Sequence, residues 1–94
     1  MTYRLKFFEN AYKEWQKLDP YVRKHFKTRL KKRLENPRVE SARLRGHPNL
    51  YKIKLRSVGY RLAYLVEDKT ISVYVICVGR RDKIYEILSR RLNA

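Results

Sequence analysis

Ninety-four residues, 44% of them hydrophobic and eight of them Tyr, are enough for one buried core and too few for two. Twenty-four Lys and Arg against nine Asp and Glu give a net charge of +15 and a pI near 10.3, so the chain repels itself and draws anions; nucleic acid is the expected partner, an anionic membrane surface the lesser one. No apolar run approaches the ~20 residues that span a bilayer, the start MTYRLKFFENAYKEW has neither an apolar core nor a small-residue cleavage site, and Cys77 stands alone. Membrane-spanning, secreted and disulfide-framed classes are thereby disfavoured, and a reducing, cytoplasmic setting is expected.

Thr2 to Phe8 alternates Tyr3, Leu5 and Phe7 against Arg4, Lys6 and Phe8, as a strand does. Glu9-Asn10 then opens a helix with Asn10 as its expected cap, and Ala11, Tyr12, Trp15 and Leu18 fall on one face of it. Asp19-Pro20 ends that helix and starts the next, Asp capping and Pro in the first helical position. Val22, Phe26, Leu30 and Leu34 recur every fourth residue and form an apolar stripe. Around it lie Arg23, Lys24, Lys27, Arg29, Lys31, Lys32 and Arg33, seven cations without an acid. Asn36-Pro37 stops the helix. Two amphipathic helices in succession predict a hairpin that covers one face of a sheet.

Residues 38–49 are irregular, with Gly46, Pro48 and Asn49 as turn residues and Leu44 as the possible start of a short edge strand. In YKIKLRSVGYR, Lys52, Lys54 and Arg56 point one way while Ile53 and Leu55 point the other. Ser57-Val58-Gly59 offers the turn, and Tyr60 to Val66 returns as the paired strand. Glu67-Asp68-Lys69 reads as a solvated turn, and TISVYVICV as a third, β-branched strand. Asp82 is the expected cap of a last helix carrying Ile84, Ile87, Leu88 and Leu92. The order β-α-α-β-β-β-α predicts an α+β domain spanning residues 1–94. In it, an antiparallel sheet carries an N-terminal helical hairpin on one face and ends in a C-terminal helix.

No acid occurs from Ser41 to Val66, so the cations of that hairpin have no local counter-ion. Lys52 and Lys54 lie two apart on one strand face, where each disfavours protonation of the other. A lysine with an ordinary pKa of ~10.4 thus moves toward serving as a base. Arg61 on the paired strand and Arg81 just past the last one offer planar donor forks for phosphate oxygens. By themselves these residues fit either catalysis or simple phosphate binding. Arg23, Lys24, Lys27 and Lys31 on the basic helix, with Arg43, Arg45, Arg56 and Arg80 near the sheet, fit either a solvated surface or contact with a nucleic-acid backbone. Tyr12, Tyr64 and Tyr74 belong with core faces, whereas Tyr85 is placed to leave the core and stack on a base. His47 lies near the cationic edge, and His25 reads as a solvated helix residue. Cys77, in VYVICV, reads as a buried inert thiol. Metal-ligand spacing, a glycine-rich phosphate loop and a Ser/His/Asp grouping are all lacking.

From Thr2 to about Tyr85 the chain resembles the RelE branch of the RelE/ParE superfamily of bacterial toxin–antitoxin systems. LRGHPNLYKIKLRSVGYRLAYLVEDKTISVYVICVGRR carries most of the likeness, with AYKEWQKLD and LENPR in support. The resemblance implies a ribosome-dependent mRNA endonuclease that cuts the codon in the ribosomal A site, uses the RNA's own 2′-hydroxyl as nucleophile, and needs no metal or other cofactor. By motif position it puts the catalytic lysines on Lys52 and Lys54, the arginines on Arg61 and Arg81, and the C-terminal tyrosine on Tyr85. The stretch between VGRR and that tyrosine is shorter here than in the best-known member.

The resemblance also implies a cognate acidic antitoxin that cancels the charge and displaces the final helix. Operator DNA would be bound only through the toxin–antitoxin complex. Two other readings stay open on the sequence: a ParE-like toxin that blocks DNA gyrase, and a basic nucleic-acid-binding protein that cuts nothing.

Overall fold

The computed structural model describes residues 2–93. Strand β1 (Arg4–Phe7) leads into helices α1 (Glu9–Gln16) and α2 (Pro20–Glu35), then a single 3-10 turn (Glu40–Ala42). Strands β2 (Leu50–Leu55), β3 (Tyr60–Glu67) and β4 (Ser72–Arg80) follow, and helix α3 (Ile84–Leu92) closes the chain. The strand order is β1-β4-β3-β2. β2, β3 and β4 form the expected antiparallel meander, while β1 joins β4 in parallel, Arg4 facing Ser72 and Phe7 facing Val75. The sheet is therefore mixed: the helical hairpin carries the chain away after β1, so that β4 arrives beside it pointing the same way.

Two cores flank the sheet. On one face Ala11, Trp15, Leu18, Val22, Phe26 and Leu30 of the hairpin pack on Tyr51, Ile53, Leu62, Tyr64, Val73 and Val75. On the other, Ile84 and Leu88 of α3 pack on Leu50, Ala63, Ile76 and Cys77, with Leu44 from the preceding loop. The strands obey the two-residue alternation until β4. There Tyr64 faces Val75 and Ala63 faces Cys77, which leaves Ile76 as an extra residue. The bulge lets Ile76 and Cys77 both enter the α3-side core and returns Val78 to the hairpin side. From there Gly79 stands opposite Arg61, and Arg80 lies over the Tyr60 ring at 5.8 Å.

Local chemistry explains two of the element ends. Asp19 accepts from the Tyr21 N–H at 2.8 Å with Pro20 at the first helical position, as the sequence predicts. Gly59 takes φ +69° in the β2–β3 turn, a conformation glycine reaches without a steric cost. Several expectations are corrected. Asn10 is not the cap of α1; Phe8 occupies that position without a side-chain bond, and Glu9 lies in the first turn, where its charge suits the helix dipole. Asp82 does not cap α3, whose capping position is Lys83. Tyr12 is 48% exposed rather than core, meeting Phe7 edge-on at 5.5 Å. Leu44 begins no strand; its N–H donates to the Leu50 carbonyl, and the one bridge there joins Arg43 to Tyr51. Asp68 is no free solvated tip either, since it accepts from Arg38 at 2.7 Å and from the Tyr3 hydroxyl at 2.8 Å.

Candidate active site

Lys54 and Arg61 are direct cross-strand partners on β2 and β3, and Lys52 faces Ala63 one step along the same face. Period-two alternation turns these cations away from the hairpin core, because Ile53 and Leu55 are the residues buried in it. Arg61 donates from Nη1 to the Tyr85 hydroxyl at 3.0 Å, and its guanidinium carbon lies 5.8 Å from that ring's centre. Tyr85 sits in the first turn of α3, beside buried Ile84, and is 41% exposed. Four of the five expected catalytic groups thus meet where α3 crosses the sheet.

Arg81 lies just beyond. Its N–H donates to the Gly59 carbonyl at 2.9 Å, which ties it to the β2–β3 turn, and it shares a recess of about 380 Å³ with Arg56, Arg80 and Asp82. It stands at the Lys54–Arg61 end of the sheet, since Gly79, two residues earlier, pairs with Arg61.

Like charges dominate the electrostatics. Lys54 is pushed below the ordinary lysine value, chiefly by the Lys52 ammonium, next by Arg61, and then by slight desolvation. Among the described residues, the ion pairs bring no carboxylate to Lys52, Lys54, Arg61 or Arg81. Arg45 and His47 join Lys52 and Tyr85 around a cavity of about 410 Å³ beside α3.

The outlying cations divide. Arg56 lines the recess with Arg81 and also a cleft with Lys52 and Lys54. Arg43 is tied to Glu40 at 2.9 Å, a carboxylate just outside the acid-free stretch. Arg23 is half-buried and donates to the Gln16 carbonyl at 3.2 Å. Lys27 and Lys31 flank a recess with Leu5 of β1, at the opposite edge of the sheet from β2. Lys24 is exposed on α2.

Two features escaped the sequence reading. Arg33 is half-buried, donating to the Tyr64 hydroxyl at 2.9 Å and to the Lys52 carbonyl at 3.1 Å, so it supports the strand that bears the lysines. Arg91 forms a bidentate pair with Glu14 at 2.7 and 2.8 Å and also donates to the Ile76 carbonyl at 2.7 Å. Glu14 in turn accepts from the Val78 N–H at 3.2 Å. Because β1 ends at Phe7, the β4 edge beyond it lacks a strand partner, and this pair satisfies it while pinning α3 to α1. The spacing of Arg29 and Arg33 with His25 was the visible signal for the first feature. No local signal marks a pair 77 residues apart.

A family model described as ParE toxin of a type II toxin–antitoxin system matches residues 5–85. The mRNA interferase toxin RelE of Escherichia coli strain K12 is 53% identical over 83 residues, covering 88% of this chain and 87% of that one. The chain belongs to the RelE/ParE superfamily. Its fold agrees with a free-state structure of a mutant E. coli toxin RelE at TM-score 0.89 and 48% identity, covering 99% of this chain and 97% of that one. It also agrees with the toxin of the intact E. coli RelBE toxin–antitoxin complex at 0.81 and 54%, covering 83% and 95%. Within this superfamily member, the strand pair that holds Lys52, Lys54 and Arg61 lies inside the matched region, and Tyr85 is its last residue.

Proposed function

We propose that the protein is the toxin of a type II toxin–antitoxin pair, an endoribonuclease that cuts messenger RNA at codons in the ribosomal A site. Lys54 carries this reading. It is a lysine driven toward neutrality by Lys52 and set directly across from Arg61, on a patch whose cations have no carboxylate partners among the described residues. The 53% identity to an mRNA interferase supports the RNA target over the gyrase target that the ParE description of the family model suggests.

The reaction needs a 2′-hydroxyl proton removed, a bond formed from that oxygen to the neighbouring phosphorus, and the bond from phosphorus to the 5′-oxygen broken. Neutral Lys54 takes the proton, with Lys52 holding its pKa down. Arg61, oriented by Tyr85, meets the charge that builds on the phosphoryl oxygens. Arg81 offsets the charge on the departing 5′-oxygen, which takes its proton from water. The products are a 2′,3′-cyclic phosphate and a 5′-hydroxyl. Without a His or carboxylate pair the centre is a weak catalyst of unbent RNA, so the ribosome supplies the orientation, a term that reaches roughly 7–11 kcal/mol in the best intramolecular cases.

A partner antitoxin with an acidic, partly disordered binding segment would offset the +15 charge. Any operator binding would then be carried out by the complex, with the antitoxin reading the bases. Among the described residues no helix is long and apolar enough to cross a membrane, and a cytoplasmic site of action follows from a ribosomal target.

Primer extension on a translated message, with and without ribosomes, tests the function. Cuts within codons that require ribosomes and vanish in Arg61→Ala or Arg81→Ala protein of native fold are expected. Intact message together with a DNA-damage response would transfer the reading to gyrase. Salt-dependent duplex binding without any product would reduce the protein to a phosphate binder.

A further inference from the structure

Helix α2 carries a second stripe, of which the site described above engages only Arg33. Tyr21, His25, Arg29 and Arg33 recur every fourth residue, one position behind the apolar stripe of buried Val22, Phe26 and Leu30 and part-buried Leu34. Such spacing aligns side chains along one helix face. That face looks toward β2, the terminal strand of the sheet. There His25, Arg29 and Arg33 line a cleft of about 590 Å³ together with Lys52, Lys54 and Arg56. Among the described residues, no carboxylate lines it.

The cleft continues past the cations. His25, Leu55 and Ser57 also border a small recess of about 40 Å³ at whose rim Tyr21 lies. Tyr21 is 60% exposed, and its ring meets that of His25 at 4.4 Å between centres, inclined 64°. A solitary exposed tyrosine requires no explanation. Here, however, two neighbouring rings stand at the end of a cleft that starts at the candidate catalytic lysines and carries Arg29, Arg33 and Arg56 along the way. Cations that track a backbone, ending in an aromatic surface that takes a base, are the chemistry by which proteins hold single-stranded RNA.

We propose that the Tyr21–His25 pair is a stacking subsite for one unpaired base of the RNA flanking the cleaved bond, with Arg29 and Arg56 holding the phosphates between it and Lys54. The proposal rests on the reading of Lys52, Lys54 and Arg61 as an RNA-cutting centre. Single-stranded RNA is favoured over an acidic peptide because a peptide's carboxylates would engage the cations and leave the exposed ring pair without a role. A base has a π-face for it.

The test separates binding from cutting by using a fluorescent, fully 2′-O-methylated hexaribonucleotide, which lacks the attacking hydroxyl. Tyr21→Ala, a surface change whose fold is checked by circular dichroism, should weaken binding about fivefold or more, while Tyr21→Phe stays near wild type. The salt dependence should keep its slope, since no cation is lost. An abasic residue moved along the oligonucleotide should weaken wild-type binding at one position and have no effect there on Tyr21→Ala. Equal binding by wild type and Tyr21→Ala, or an abasic series without a sensitive position, overturns the subsite alone. A wild-type protein that does not bind the oligonucleotide at all overturns the subsite, while the RNA reading of the lysine patch stands or falls separately on ribosome-dependent cutting in the primer-extension experiment.

Discussion

The Arg61 guanidinium donates to the Tyr85 hydroxyl at 3.0 Å, linking β3 to α3 across 24 residues of sequence. The ring also takes the cation against its face at 5.8 Å, so Tyr85 restrains Arg61 by two contacts. Tyr85→Phe keeps the ring and loses the acceptor, and should slow single-turnover cutting on ribosomes about tenfold. Tyr85→Ala loses both and should slow it about 100-fold, within the range for groups that position or move a proton. An equal loss in both variants would make the phenol itself the reacting group rather than a support for Arg61.

Lys54 should set the rising limb of the rate profile. Its folded pKa lies below the ordinary 10.5, and the amine acts as a base only when neutral, so the rate rises with pH and levels off earlier than a free lysine would allow. Lys52→Met removes the largest cause of that depression. The limb should then move to higher pH, whatever happens to the plateau, in single-turnover measurements across pH. A limb that stays in place would take Lys54 out of the base role.

Breaking the Glu14–Arg91 pair should cost stability and catalysis together. The two side chains are 25% and 19% exposed, and each also satisfies a β4 backbone group beyond the end of β1. Glu14→Ala leaves Arg91 part-buried without its partner, and urea unfolding should show a loss of about 2–4 kcal/mol. The released end of α3 should also reduce the cutting rate through Tyr85. Glu14→Gln, which retains both backbone-directed contacts, should lose less of each.

Cys77 should be silent toward thiol reagents in the native protein. It is fully buried, and burial pushes its thiol up to about 12, so almost no thiolate exists at neutral pH. Labelling with a chromogenic disulfide at pH 8 should follow the rate of opening and become fast only in denaturant. Rapid labelling of folded protein would mean that α3 leaves the sheet readily, because Ile84 and Leu88 share the core with that sulfur.

Much of this was legible from the chain itself. Alternation in YKIKLR placed Lys52 and Lys54 on one face, since a strand has only two sides, and the Asp19-Pro20 pair marked a helix start through its local hydrogen bond. Caps that lack such a bond, at Phe8 and Lys83, leave no mark in the composition, which points instead to Asn10 and Asp82. Helical spacing likewise puts Tyr12 near the apolar face, yet its ring meets Phe7 edge-on and stays 48% exposed.

The sequence by itself determined the order of elements, the acid-free cationic hairpin and the two amphipathic helices, because these follow from periodicity and charge within a few residues. Tertiary structure alone decided the parallel seating of β1, the extra residue at Ile76, the meeting of Arg61 with Tyr85 and the Glu14–Arg91 clasp. Each of those joins groups far apart along the chain, and their contact depends on how the two cores close around the sheet, which no local pattern encodes.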